Sequence, residues 1–495
     1  MDQCEPTFIS RGKNMLLDPQ KDADLLSRIE AALNEPYLIA HLGKLERESA
    51  EGRLAVENAV FRRYNQAAEY AVPWVNRAAP LAGSRMVEIG CGPGSSTAAF
   101  ARLAEWMDGY DIEPASVEGA RIRARLLGLT NVACHAVAPD RLLSEIRRRH
   151  GKGQVDLVLL YAVLEHCTPA ECLETIRTSW DLLRPGGHLV VIETPNRFGY
   201  MDVHTTFLPF FHLLPDHIAL RYYHRTQRRR VLTTLDDAAR RSEREAELAR
   251  IRLGTGISFH EFQIALGIDD LGAVLVADGY EPEMLAWFPI TLEERLLQTF
   301  FLARDVPAPI GFARFVLNVI LRKPTGALPT EPLIPLASRT EFLVNYADVK
   351  VDSPMQRARS LQEFERLEKV EWVISGSDAD SLAPANQVSI AHGVDHLRLQ
   401  ASGHDPYLYL PPLDAPLPRA IMKIDIDAPS HSILQVFHTT REQHDYAEER
   451  SIRMPIYRGR NLLLVELPAG VTGRLRLDPG EMPGEYRVYR IELRR

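Results

Sequence analysis

The apolar run Met86-Val87-Glu88-Ile89 breaks into glycines at 90, 92 and 94, and a helical pattern resumes from Ser95 to Ala104. This pattern predicts a strand, a tight turn and a helix. Glycine is needed there because the turn must reach φ angles closed to other residues, and because a ligand at the helix N-terminus touches the backbone itself. The segment therefore reads as the part of an α/β domain that takes a nucleotide-like cofactor. A dinucleotide fingerprint needs G-x-G-x-x-G, yet Ser95 stands where its third glycine would be. The G-x-x-x-x-G-K-[ST] phosphate loop is absent, which argues against a nucleoside triphosphate. The next strand, Trp106 to Tyr110, ends on Asp111, an acid at the position that accepts both hydroxyls of a ribose.

The order of elements downstream narrows the reading. A helix to Leu127 follows Pro114, Asn131 to Ala136 reads as a third strand, and Asp156 to Tyr161 as a fourth. The fourth is continuous and apolar, as a parallel strand buried on both faces should be. It opens into Leu164-Glu165-His166. A helix then leads to the turn and fifth strand of Leu183-Arg-Pro-Gly-Gly-His-Leu189, which ends in Thr194-Pro-Asn-Arg197. The E-x-G-x-G-x-G frame with Asp111 resembles the cofactor site of class I S-adenosylmethionine-dependent methyltransferases. The later motifs resemble their quinone and small-molecule O-methyltransferase branch. The resemblance covers residues 60 to 325. It implies S-adenosylmethionine as cofactor, held by Glu88, Gly90, Cys91, Gly92, Gly94, Asp111, Ile112 and Tyr161. One departure stands out. Where the family has a G-D-A-like acid facing adenine, this chain has Ala138, and the nearest acid is Asp140, which is taken as the stand-in.

At 495 residues the chain should hold at least two domains. Residues 1–60 read as a helical region and 61–325 as the methyltransferase domain, a doubly wound Rossmann-like α/β sheet. Residues 198–257 form a helical lid insertion, with a charged helix from Leu235 to Arg252. Tyr280 to Pro289 and Phe312 to Arg322 suit the last two strands, an antiparallel pair as is usual in the family. Residues 326–340 are a proline-rich linker. Residues 341–495 alternate short period-two strands with turns, which predicts an antiparallel β-sandwich of jelly-roll type. There Leu475 and Leu477 face away from Arg474 and Arg476, and Tyr489, Ile491 and Leu493 share one face. These strands resemble β-sandwich modules appended to bacterial cell-surface polysaccharide enzymes.

Fifty-eight basic and 66 acidic side chains give a net charge of −8, which argues against a general polyanion binder and so against nucleic acid as partner. The five cysteines, at 4, 91, 134, 167 and 172, include no C-x-x-C pair and read as reduced thiols of a cytosolic protein. The first residues lack the basic and apolar regions of a signal peptide. The expected location is the cytoplasm, with contact at the inner face of the membrane as an option, since Arg228-Arg-Arg230 follows the aromatic stretch of Phe207, Phe210, Phe211, Tyr222 and Tyr223.

Methyl transfer to an alcohol needs an aligned acceptor and a base for its proton, and histidine suits that task near neutral pH. His166, His204 and His260 fall at positions that should face the cleft, with Glu261 beside His260. No spacing demands a metal, so none is expected, although Glu165, His166, His204, His260 and Glu261 have the chemistry to hold a divalent cation. Trp372, Tyr407, Tyr409, Tyr446 and Tyr457 in the sandwich are sugar platforms or core aromatics. The leading expectation is an O-methyltransferase for a sugar hydroxyl of a bacterial surface glycan, with a free or lipid-linked glycan as acceptor and a glycan-binding sandwich. Two alternatives stay open: a small-molecule or quinone O-methyltransferase whose sandwich serves homo-oligomer formation, and a non-catalytic scaffold.

Overall fold

The computed structural model of the chain describes residues 16–38, 49–334 and 354–495, apart from 377, 431, 457 and 458. Parts of the expected N-terminal helical region (1–15 and 39–48), the end of the linker (335–340), the start of the sandwich region (341–353), Cys4 and Tyr457 lie outside the described residues. The chain falls into two compact units, Met1–Phe288 with Leu296–Ile334 and Pro289–Arg295 with Pro335–Arg495. Among the described residues no helix is long and apolar enough to cross a membrane.

The first unit is built on seven strands: β1 (Arg85–Ile89), β2 (Trp106–Asp111), β3 (Val132–Ala136), β4 (Val155–Tyr161), β5 (Leu183–Pro195), β6 (Leu275–Ala277) and β7 (Val316–Arg322). Their order is β3-β2-β1-β4-β5-β7-β6. β1 to β5 run parallel, and β7 lies antiparallel between β5 and β6. The order reverses between β1 and β4, which leaves a crevice at their carboxyl ends. Ile89 lies opposite Tyr110, so Asp111 projects one step past the end of β1, beside the glycine turn.

β6 differs from the expected strand at Tyr280 to Pro289. It ends at Ala277, and residues Pro282–Trp287 are a helix instead. Proline has no N–H for a ladder and presets φ for a first helical turn. Just before it, the N–H groups of Asp278 and Gly279 donate to the Glu281 carboxylate.

The N-terminal helices are part of this unit and not a separate layer. Ala23–Leu33 and a helical run from Ala50 to Ala78, widened into π-turns at Asn58–Arg62 and Ala67–Ala71, bury Ile29, Leu33, Tyr64 and Trp74 in one core with Met86, Phe100 and Met107. Arg123 is fully buried. Its guanidinium donates to the carbonyls of Ala59 and Val60 in the first π-turn and of Pro93 in the glycine turn.

The insertion leaves after the end of β5 and returns where Asn196 pairs with Ile257. It closes its own small core of Leu208, Phe211, Ala219, Tyr223, Val231 and Leu235. The single charged helix expected over 235–252 is two helices, Arg229–Arg241 and Glu243–Leu253. Ser242 breaks them apart because its side chain accepts from the Glu245 N–H at 3.1 Å, capping the second.

The second unit contains β8 (Val370–Ile374), β9 (Ala383–Asn386), β10 (Val388–His392), β11 (Leu397–Ala401), β12 (Tyr407–Leu413), β13 (Ala420–Ala428), β14 (Ser432–Thr440), β15 (Ser451–Ile456), β16 (Gly459–Leu467), β17 (Val471–Asp478) and β18 (Gly484–Arg494). They form two antiparallel sheets, β10-β11-β18-β13-β16 with β8 on β18, and β15-β14-β17-β12-β9. Their facing sides bury a shared core that includes Leu408, Leu410, Leu434, Val436, Leu475, Leu477, Val488, Ile491 and Leu493. This is the expected β-sandwich. Tyr489 does not share the inner face with Ile491 and Leu493. The register on β13 skips from Arg490 to Val488, so Tyr489 is the extra residue of a bulge, and its ring lies under the Arg460 guanidinium.

Candidate active site

The three turn glycines do different things. A Cβ at Gly90 would lie 2.4 Å from Val163 and one at Gly94 2.7 Å from Ala120, so both are fixed by packing. Gly92, at φ +50°, would carry a Cβ that meets nothing within 4 Å. Its backbone faces open space at the mouth of the crevice. Its N–H donates to Asp111 Oδ2 at 2.8 Å, and the Glu113 N–H donates to Oδ1 at 2.9 Å. These bonds aim the carboxylate, while burial pushes its pKa up against them. Ile112, next to it, is half exposed and offers an apolar face. Tyr37 from the N-terminal helices stands within electrostatic reach of Arg63, Glu113 and Asp111.

The other cofactor residues read from the sequence divide between direct and supporting places. Glu88 is buried beneath the turn, and its carboxylate accepts from the hydroxyls of Ser96 and Thr97 in the first turn of the helix Ser95–Ala101. Burial pushes its pKa up to about 7. Cys91 points its thiol into the protein beside Cys134, and its hydrogen bond with that thiol, together with burial, holds the pKa well above the thiol range. Its contribution to the turn is its N–H, donated to the Tyr110 carbonyl at 3.0 Å. Tyr161 ends β4 with its ring under the Arg63 guanidinium, and Arg63 pairs with Glu193 Oε2 at 3.0 Å. Asp140 does not fill the role given to it. Its side chain is 77% exposed with Arg141 as its ion-pair partner at 3.9 Å, because the chain turns outward after β3 into the helix Leu142–His150. Replacing Asp111 with alanine should weaken donor binding by about 1.5–3 kcal/mol, the scale of hydrogen bonds to a charged acceptor; isothermal titration of the variant against the wild type measures this.

At the end of β4 the structure gathers two of the candidate bases, His166 and His204, with Glu165. Glu165, His166 and His204 offer ligand atoms all within 4.8 Å of one another. Glu165 is wholly buried, neither oxygen has a partner at hydrogen-bond geometry, and burial pushes its pKa up to about 8. His166 Nδ1 lies 2.9 Å from the Arg252 carbonyl, an acceptor only, so this nitrogen carries the proton and Nε2 keeps its lone pair, 3.9 Å from Glu165 Oε1. His204 comes from the insertion. Its Nδ1 meets the Thr205 hydroxyl at 3.1 Å, and its ring centre is 5.4 Å from that of His166. Burial lowers the pKa of His166 and brings that of His204 down to about 4, so both are neutral near pH 7.

His260 and Glu261 stand outside this group. His260 is exposed, stacked on Phe259, with Nδ1 3.0 Å from Ser258 Oγ. Glu261 does not meet the imidazole directly. It accepts from the N–H and hydroxyl of Ser258 as a helix cap and pairs with Arg197. Capping fixes its direction, since the third residue of a helix reaches back to the residue before the first. Sequence reasoning missed Arg63 and Glu193. They lie 130 positions apart with no local motif, although the left-handed backbone of Glu193 (φ +56°) marks a special position.

Residues 87–189, the stretch from β1 to the fifth strand that frames this crevice, match the family model of a methyltransferase domain. The chain carries a class I methyltransferase domain. The methyltransferase domain is similar to the ubiquinone biosynthesis O-methyltransferase of Cupriavidus pinatubonensis, at 29% identity over 140 residues, 28% of this chain and 53% of the relative. It is similar to the enzyme of the same name from Ralstonia nicotianae at 28% identity over 155 residues, 31% of this chain and 61% of the relative. The chain thus spans between half and two thirds of the length of these relatives. The magnesium protoporphyrin IX methyltransferase of Synechocystis, solved with bound SAH, aligns at 23% identity over 25% of this chain and 53% of its own, with a TM-score of 0.21. The cofactor of the methyltransferase domain is S-adenosylmethionine, and the residues fit it: an open cradle at Gly92, an aimed carboxylate at Asp111 and an apolar face at Ile112.

Proposed function

We propose that this chain is an S-adenosylmethionine-dependent O-methyltransferase whose acceptor is a small hydroxylated ring of the phenol or quinol class. The neutral His166 imidazole carries the reading. It sits at the end of β4 with its proton tied to a carbonyl and its lone pair available. The relatives named for ubiquinone biosynthesis support the small-molecule acceptor. They lend nothing to the sugar hydroxyl expected from the appended sandwich.

When bound, S-adenosylmethionine supplies an electrophilic methyl group. Asp111 and the backbone at Gly92 hold the ribose and set its direction. His166 Nε2 would take the proton of the acceptor hydroxyl. Glu165, once ionised, stabilises the imidazolium that forms. His204 and the insertion limit water on the open side. Because the base must be neutral, kcat/KM should fall as pH drops through the His166 pKa, which burial places below the ordinary 6.5. A pH–rate profile tests this; a kcat/KM that does not fall toward acid anywhere the protein stays folded rules His166 out.

Incubation of the full chain with labelled S-adenosylmethionine and paired acceptors, a catechol against a free hexose, tests the acceptor class. The expected product is an aryl methyl ether. Turnover on the hexose alone overturns the reading.

A second reading is favoured by the same three groups. Two neutral imidazoles and a buried carboxylate suit a divalent cation, which would lower the pKa of a bound hydroxyl in place of a base. Titration with Mn²⁺ separates the two: a saturable rise in Tm that is lost in His204→Ala selects the cation, and an unchanged Tm leaves the imidazole as base.

A further inference from the structure

Exposed apolar side chains are not spread evenly over the protein. More than a third of the large hydrophobic side chains that stand exposed among the described residues fall within residues 201–222 of the insertion. Single exposed apolar residues are ordinary, whereas a run of this density marks a surface that meets something. Much of it sits on one turn. Met201 bridges Pro209, and the Phe207 N–H donates to the Asp202 carbonyl at 2.8 Å. Inside the turn the buried Asp202 carboxylate accepts from the Thr205 and Thr206 N–H groups, each at 2.8 Å, while Met201, Val203, Phe207 and Phe210 stay outside. Phe207 and Phe210 are each 52% exposed, and both hold left-handed backbones, at φ +55° and +56°. A bulky residue is strained there, and glycine or asparagine would be the unstrained and more soluble choice. The two rings are thus kept against the preference of the backbone, which is a mark of a working surface. The helix Asp216–Tyr222 adds Ile218 and Tyr222, one turn apart on its outer side, while Ala219 packs inward.

The charge beside these side chains has one sign. Residues 198–230 contain five arginines and two aspartates, in a chain of net charge −8. Asp202 is buried against His212 at 3.3 Å, and Asp216 is paired with Arg250, whereas Arg221, Arg225, Arg229 and Arg230 are exposed. The basic stretch is tied to the apolar turn. The Thr226 hydroxyl donates to the Thr206 carbonyl, and Arg228 donates to the carbonyls of His204 and Thr205 with its guanidinium over the Phe207 ring at 4.3 Å. Aromatic and aliphatic tips flanked by arginine match the boundary between headgroups and acyl chains of an anionic bilayer. A second copy of the chain fits less well, because a self-complementary contact would set these arginines against one another. We propose that this face of the insertion docks on an anionic lipid surface, with the Phe207 and Phe210 rings at the acyl boundary and Arg225, Arg229 and Arg230 on lipid phosphates. The proposal does not rest on the acceptor assigned above.

Co-sedimentation of the full chain with vesicles of phosphatidylcholine alone, or with about a third phosphatidylglycerol, tests it. Saturable binding to the anionic vesicles is expected, at least about tenfold tighter than to phosphatidylcholine alone and weakened by added NaCl. Phe207→Asn with Phe210→Asn should weaken that binding at least about tenfold without lowering Tm, since asparagine accepts the left-handed backbone. Arg225→Gln with Arg229→Gln and Arg230→Gln leaves the turn itself untouched and should weaken binding by about tenfold or more. If the phenylalanine pair lowers Tm, the arginine variant alone decides. No binding to anionic vesicles overturns the proposal. So does equal binding to both kinds of vesicle, or binding that survives either variant at unchanged Tm. A concentration-dependent dimer in sedimentation velocity, abolished by the phenylalanine pair and accompanied by no vesicle binding, assigns the face to a second copy and overturns the lipid reading.

Discussion

Replacing Gly92 with valine should abolish measurable binding of S-adenosylmethionine while the domain stays folded. The new side chain meets no protein atom within 4 Å at its Cβ, so it does not overpack the core; it projects into the open space proposed for the cofactor. The cost to the fold is confined to the backbone, about 1–2 kcal/mol for a branched residue at φ +50°. The cost to binding is larger, because the ligand approaches this backbone directly, and a loss of at least about 100-fold, or 2.8 kcal/mol, is expected. Isothermal titration and a thermal melt on the same sample separate the two. Gly90→Val is the contrasting control, since it clashes with Val163 and should lower Tm as well as affinity. Wild-type affinity in Gly92→Val would remove the cofactor site from this turn.

Replacing His166 with alanine should lower kcat by about 10²–10⁴, the range for loss of a general base, and leave donor affinity within about twofold. Glu165→Gln acts through the same imidazole but in a different way. It removes a buried carboxylate that has no hydrogen-bond partner, so above pH 8 the variant should be more stable than the wild type by roughly 1–3 kcal/mol. The sign follows from linkage. The folded-state pKa of Glu165 is raised to about 8, so the ionised form is disfavoured in the fold, and stability is lost as pH rises through that value. A variant that is slower and yet melts higher at pH 9 marks Glu165 as a group kept for function. His260→Ala, by contrast, should leave kcat near the wild-type value, since that ring stands apart from the Glu165 cluster.

The turn and the acid proposed to hold the cofactor were legible in the sequence because their signals are local. The glycine turn and Asp111 lie within 22 residues, and both arise from backbone demands that few residue types meet. The same holds for part of the sandwich, where period-two alternation marked several strands, while Tyr489 was assigned to the wrong face because a bulge inserts one residue. The acceptor half was less legible. His166 and His204 meet only because a 60-residue insertion folds back onto the end of β4, and nothing in the spacing encodes that return. His260 and Glu261 do not pair, for the opposite reason. Adjacency in sequence suggested a pair, but a helix start turned Glu261 toward its own cap. The displaced β6 shows the same limit, since an apolar run containing Pro282 reads as strand or helix until the turn before it is known.

The buried guanidinium of Arg123 sets a lower bound on how small a working version of this protein can be. Three carbonyls satisfy it, two of them supplied by Ala59 and Val60, well upstream of the matched stretch 87–189. A chain trimmed to begin at the first strand would lose two of those three acceptors together with the helices that cover the guanidinium beneath the glycine turn. Minimal-fragment screening of the methyl-transferring half should therefore keep the upstream helices, and sequence drift at position 123 should travel together with the kinked turn it fastens.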